Sequence, residues 1–428
     1  MGTSSVQTGQ IASSLSPSFK MVSKYFISSV AAFVILNLLL TLNYSSISGH
    51  YFQPKILALV HITTLGWITM IIFGAMFQLV PVVLEVKLFS EILGEIQFWI
   101  FLTGVIGLVT GFWQFDIGNH LMYSAILLVL AMLLFIFNIG VSMLKVKKWN
   151  ITGVYLIAAL FYLLSTAAAG LLMAINLGHP FIQGNHLQYL KLHADVAMIG
   201  WVFMVIMGVS YKLIPMFTLS HGYSQRSAVL AFILINAGLL GITTVMHYTQ
   251  QNWIYYFFIL LIVLGSLLYL YQIVLIFGKR LRKKFDTGMK HSAVSFSILL
   301  LVIILGGVLS FVKFGNPMFE LRLDLVYGYS ILIGFFSMLT VGQMYKILPF
   351  LVWYHKYSSK VGLEPVPLLK DMFSEKSANA EFFLMIISIA LGITGLLLDV
   401  PVILLFSFSI MLAASLIFAY NTFSIYRS

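Results

Sequence analysis

The sequence predicts an all-α integral membrane protein of twelve transmembrane helices, built as three pseudo-symmetric four-helix modules. Three observations carry that prediction. With 61% hydrophobic and 9% charged residues and a mean hydropathy of +1.01, the 428-residue chain has too little polar surface to cover a soluble globule. Its apolar stretches of about 20 residues or more have the length of bilayer-crossing helices. One pattern is also written three times: Gly66, Trp67, Gly74, Pro81; Gly200, Trp201, Gly208, Pro215; and Gly334, Phe335, Gly342, Pro349. The copies are evenly spaced, since 215 − 81 = 134 and 349 − 215 = 134. A period of that size implies a duplicated multi-helix unit and not a solenoid.

In chain order the spans read as 25 to 45, 56 to 82, 91 to 113, 119 to 144, 151 to 175, 190 to 217, 226 to 247, 252 to 278, 292 to 313, 325 to 354, 379 to 398 and 401 to 425. The modules then cover about 25 to 150, 151 to 290 and 291 to 425, within one membrane domain over 25 to 425. Residues 1 to 24 read as a disordered cytoplasmic tail, Ser-, Gly- and Gln-rich over its first 19 residues, with no signal-peptide pattern. Several spans exceed a perpendicular crossing, which predicts tilt or extension beyond the hydrocarbon. In each repeat the Gly-rich helix is expected to end at its Pro, whose ring removes a donor. The eight-residue Gly spacing is expected to line one face and to admit a close neighbour. Trp67 and Trp201 read as packing residues inside the spans.

Most basic residues fall on one side of these spans: Lys20, Lys24, Lys87, Lys145, Lys147, Lys148, Arg226, the run from Lys279 to Lys284, Lys290, Lys356, Lys360, Lys370, Lys376 and Arg427; the opposite side keeps only Lys55, Lys191, Lys313 and Arg322, and Lys212 and Lys346 lie near the inner helix ends. The positive-inside rule makes that side the cytoplasm and puts both termini there, as in a bacterial inner membrane. The net charge of +11 is then a topological bias facing anionic lipid, and no nucleic-acid partner is expected. Zero cysteines exclude disulfides, thiolate metal sites and thioether-linked haem. The polar connection 355 to 377 is too short for a soluble domain.

Seven of the ten histidines, His50, His61, His120, His179, His186, His193 and His247, fall on the outer side. Interfacial histidines are common, but two recur in the repeat. Counting back from each Pro, position −20 holds His61, Asp195 or Tyr329, and position −22 holds His193 or Tyr327 in the second and third copies. Residues two apart on a helix do not share a face, so this slot is expected to address two neighbouring clefts. Ionisable residues in membrane helices are costly and turn inward, which makes His61, His193 and Asp195 the leading site residues. His120 and His247 could complete a small metal site with His61 and His193, since imidazole suits haem iron, copper or zinc. Carboxylates are scarce within the spans, which argues against a proton pump or ion-coupled transporter.

The segments LVHITTLGWITMIIFGAMFQLVP, ending at Pro81, and HADVAMIGWVFMVIMGVSYKLIP, ending at Pro215, resemble the haem-binding helix of haem-copper oxidase subunit I. The cbb3-type cytochrome oxidases and their NnrS-like relatives are the nearest branch. The resemblance covers nearly the whole chain and implies twelve helices in three pseudo-symmetric arcs. It maps a low-spin haem ligand to His61, a copper ligand to Asp195, and the tenth-span His-x-His to Tyr327 and Tyr329. MHYTQQNW resembles the cbb3 segment after a copper-binding His pair, which here would be Thr244 and Val245, leaving only His247.

By that mapping the copper site lacks all its histidines and the high-spin haem its axial ligand, so conventional oxidase activity is not expected. The resemblance implies a haem b or a single metal ion at the outer side, for electron transfer or nitric oxide handling, with a cytochrome or other membrane subunits as partners besides the lipid bilayer. The alternative is a cofactor-free accessory or assembly subunit of a membrane complex.

Overall fold

In the computed structural model, residues 15–245 and 253–428 are described, and every regular element among them is helical. Among the described residues, twelve helices are long and apolar enough to cross a membrane: α1 Phe19–Leu42, α2 Pro54–Leu84, α3 Glu91–Gln114, α4 Asn119–Met143, α5 Ile151–Gly178, α6 His186–Thr218, α7 Arg226–Val245, α8 Trp253–Gly278, α9 Thr287–Phe311, α10 Pro317–Lys360, α11 Glu375–Leu398 and α12 Pro401–Arg427. The chain is therefore an all-helical, multi-pass membrane protein that contacts lipid.

Several helices start earlier than their apolar stretches. α1 begins at Phe19, with Met21 and Val22 already buried, so residues 19 to 24 are helical where the sequence reads as tail. Polar first turns explain most of the other early starts, because side chains there take up the unpaired amides. Asp286 accepts from Met289 N before α9, Asn316 from Met318 N and Phe319 N before α10, and Ser374 from Ser377 N before α11. An apolar window misses such turns.

α2, α6 and α10 share an internal build. Each changes from α to π for eight residues, at Ile62–Thr69, Val196–Phe203 and Ser330–Ser337, and then returns to α. The three π segments start 134 residues apart, directly after His61, Asp195 and Tyr329. Most π-helix is a single-turn bulge, often at a functional site, so eight residues at one register in all three copies are a built feature.

The π segments account for the glycine spacing. Two α-turns take about 7.2 residues, so a spacing of eight overshoots, and the wider π turn absorbs the excess. A Cβ on Gly200 would come within 2.8 Å of Tyr162 Cβ, and one on Gly208 within 2.6 Å of Tyr155 Cβ; both tyrosines are on α5 and seven residues apart. Gly334 and Gly342 meet Ile298 and His291 of α9, again seven apart, the closest atoms at 3.0 and 2.5 Å. Eight residues of a π-containing helix thus match seven of a straight one, and the glycines are close-packing positions as expected.

The prolines do not end their helices. Pro81, Pro215 and Pro349 lie inside α2, α6 and α10. The first two copies stop three residues later, each followed by a left-handed residue, Glu85 (φ 55°) and Leu219 (φ 54°). Val86 N and Ser220 N then bond back to the Pro81 and Pro215 carbonyls at 3.1 and 3.0 Å, a Schellman closure. The third copy has no such residue and stays α-helical to Tyr357.

The described residues form two compact units, 15–26 with 69–245 and 253–283, and 27–68 with 284–428, so the division passes through α1 and α2. In the first unit the core includes Phe73 stacked on Phe135 at 4.0 Å, with Phe101 at its edge. Trp201 is 2% exposed there and its indole N–H donates to Thr69 Oγ1 at 3.1 Å. The second unit has Phe33 stacked on Trp67 at 4.6 Å, with Phe418 edge-on. Trp67 is fully buried and donates to Ser337 Oγ at 3.1 Å. Both tryptophans pack as expected and also each make a polar bond to a π-segment hydroxyl.

Candidate functional site

The residues at positions −22 and −20 of α10 meet two different neighbours. In α10, Tyr327 lies 3.0 Å from where a Gly306 Cβ of α9 would be, and Tyr329 lies 2.5 Å from that of Gly392 in α11. In α6, His193 lies against α5, its Cε1 3.0 Å from the Gly170 position. Gly170 and Gly306 thus leave the room that a ring at −22 needs. Asp195 is half-buried at the end of the α-helical part of α6. His61 closes the corresponding part of α2, and its Nδ1 bonds to the Leu57 carbonyl at 2.7 Å. A carbonyl only accepts, so Nδ1 carries the proton and Nε2 the lone pair.

His120, in the first turn of α4, pairs with Asp116 at 3.4 Å. His247 lies outside the described residues. His193, Asp195 and His120 belong to the first unit, and His61, Tyr327 and Tyr329 to the second. Among the described residues, no three His, Asp or Glu side chains gather into a metal-holding group. The slot therefore offers single imidazoles on π-distorted helices, each oriented by its own surroundings.

A second cluster, which sequence reasoning missed, lies in the second unit near the proline of α10. Glu381 of α11 is wholly buried, and its Oε2 is 3.0 Å from Nε2 of His291 on α9, itself 0% exposed. His291 Nδ1 bonds to the Thr287 carbonyl at 2.8 Å, which requires a proton there. The Nε2 to Oε2 contact then holds one further proton, on either atom. Glu381 Oε1 is buried with no hydrogen-bond donor. The Tyr345 hydroxyl interacts with Glu381 and accepts from Asn421 Nδ2 at 2.9 Å. Asn421 in turn accepts from Ser377 Oγ at 2.6 Å.

Charged groups lie at the start of α9 and on α10. Asp286 and Lys346 pair at 2.6 Å, 28% and 15% exposed, and Lys290 Nζ donates to Asn379 Oδ1 at 2.8 Å. Asp286, Lys290 and His291 are separated by at most five residues at the start of α9, about 7.5 Å of helix rise. A partly exposed ion pair and a buried carboxyl's partner thus lie within about a turn and a half of each other along the start of α9.

The signal for Glu381 is an acid within the eleventh apolar stretch, with His291 one residue before the ninth. Glu381 looks like a first-turn acid from its sequence position, and its partner is 90 residues away. Compared with known proteins, the chain matches no family model and no curated protein.

Proposed function

We propose that the chain is a divergent membrane protein of the haem-copper oxidase subunit I type that holds one haem b or one metal ion through His61, for electron transfer or nitric oxide handling, and that it does not reduce dioxygen. The observation that carries this reading is the His61 geometry. Its Nδ1–H is engaged by Leu57 O, the arrangement that fixes the tautomer of a metal-bound imidazole, and it precedes a π segment at the register where the resemblance puts a haem ligand. A bound haem would supply one-electron chemistry; the chain's part is to orient Nε2. His193, with Gly170 leaving space beside its ring, is the second imidazole of the same slot. Asp195 orients a ligand or carries protons. On this reading the three modules share a pseudo-threefold axis, and the lysine-rich side with both termini faces the cytoplasm of a bacterial inner membrane.

Absorption spectra and metal analysis of the purified chain, with His61→Ala and His193→Ala, test this. A Soret band lost in His61→Ala supports it; no Soret band and no stoichiometric metal in wild type overturn it. A second reading is a cofactor-free accessory or assembly subunit, favoured by the lack of any gathered metal-holding group among the described residues and by tyrosines filling the third slot. Copurification with a larger membrane complex, without chromophore, would favour that reading.

A further inference from the structure

The Glu381–His291 couple occupies a position that the rest of the chain fills without charge. His291 Cβ sits on Gly342, seven residues before Pro349; Tyr25 and Tyr155 sit in the same way on Gly74 and Gly208, seven before Pro81 and Pro215. Tyr25 donates to the Gly94 carbonyl at 2.7 Å and lies against Gln97 Oε1, and Tyr155 donates to the Ala228 carbonyl at 2.7 Å. Gln97 and Glu381 are each the seventh residue of their helix, α3 and α11. Neutral groups thus satisfy this helix junction twice. An ionisable pair there adds a desolvation penalty that packing does not require.

We propose that Glu381 and His291 form a proton-binding site that exchanges one proton with water at the Asp286–Lys346 end of the second unit. This stands independently of any haem at His61. The protonated couple is neutral, as a carboxylic acid beside neutral imidazole or a carboxylate beside imidazolium. Loss of the proton leaves a carboxylate and a neutral imidazole, net −1.

The charged groups around the couple are Asp286 and Lys290 from α9 and Lys346 from α10; Tyr345 is the other titratable neighbour, and α12 presents Asn421. The remaining charges of α11, Glu375 and Lys376, are exposed on its first turn. One acid and two lysines give +1, so releasing the proton brings the cluster to neutrality. In the anionic state a ring lone pair faces an oxygen, on Nε2 or on Nδ1. One side chain must then move, and Tyr345, which interacts with Glu381, is the neighbouring hydroxyl that can answer it. Proton release is therefore coupled to a rearrangement at the α9–α10–α11 junction.

Infrared difference spectra of the purified full-length protein between about pH 5 and about pH 8 test the site. A carboxylic C=O band that diminishes on raising the pH and is absent in Glu381→Gln supports it. Glu381→Asp, which keeps the acid, should shift the band and not abolish it, and serves if Glu381→Gln does not fold. A wild-type carboxyl signal that is unchanged across that range, or a titrating band that persists unaltered in Glu381→Gln, overturns the proposal.

Discussion

The junctions at Gly74 and Gly342 have the same backbone solution and opposite chemistry. In both, a side chain from the module's first helix rests its Cβ on the glycine and reaches the seventh residue of the third helix. The first junction uses Tyr25 and Gln97, which need no charge; the other uses His291 and Glu381, an ionisable pair in contact at 3.0 Å. Close helix approach is thus separable from ionisability. The fold dictates the glycine and the crossing, while the identity of the pair is left for another purpose.

The sharpest way to break the comparison is to remove half of each pair. His291→Ala leaves Glu381 buried without its partner, and breaking a buried pair costs about 3 to 5 kcal/mol. Tyr25→Phe removes a neutral hydrogen bond and should cost about 1 kcal/mol. Unfolding in mixed detergent should rank the two variants in that order. The His291→Ala penalty should also shrink as pH falls, since protonating Glu381 removes the uncompensated charge. Equal losses for both variants, unaffected by pH, would mean that the two junctions are chemically alike.

The glycines are next in size. A methyl group at Gly342 meets His291 Cβ at 2.5 Å and the Gly288 carbonyl at 2.7 Å, whereas at Gly74 the closest atom is Tyr25 Cβ at 2.8 Å. Overpacking costs about 1 to 3 kcal/mol. Gly342→Ala should lie at the upper end because backbone cannot step aside, and Gly74→Ala lower. Smaller still are the indole bonds: Trp67→Phe and Trp201→Phe each remove one buried N–H to hydroxyl bond, about 1 kcal/mol apiece. They should be matched, since both bonds measure 3.1 Å; measured stabilities that differ severalfold would show that the repeated helices are not equivalent at this level.

Much of this architecture is legible in the chain itself. The Gly, aromatic, Gly, Pro pattern recurring every 134 residues announces three equivalent helices, and the apolar stretches announce twelve spans. The π segments are not legible in the same way. Thr63, Ala197 and Ile331 share the second position of those segments, yet one is polar, one small and one branched, so residue type does not mark the wider turn. Only the mismatch between an eight-residue glycine spacing and a straight helix hints at it. The prolines mislead for a related reason: a lost amide bond is tolerable inside a membrane helix when its neighbours satisfy the freed carbonyl. The slot residues stand out as a repeat, but their partners do not, since Gly170, Gly306 and Gly392 come from other helices. Glu381 needs its distant His291 to stand out.

The smallest expected effect sharpens the comparison most. The double variant His291→Tyr with Glu381→Gln rewrites the second unit's junction with the pair that the first already uses. Replacing both partners of a buried polar pair by a mutually satisfied one is close to neutral, so its stability should fall within about 1 kcal/mol of wild type. Each single variant should be worse than the double, because His291→Tyr alone leaves a buried carboxylate without its imidazole and Glu381→Gln alone leaves a buried imidazole without its ionisable partner. Double-mutant-cycle analysis of detergent unfolding would measure that coupling, and the pH-dependent part of stability that belongs to the couple should vanish in the double variant. A double variant that folds as well as wild type, yet loses the pH response, separates what the junction needs for packing from what Glu381 and His291 add to it; one that fails to fold would mean that the ionisable pair is itself part of the architecture.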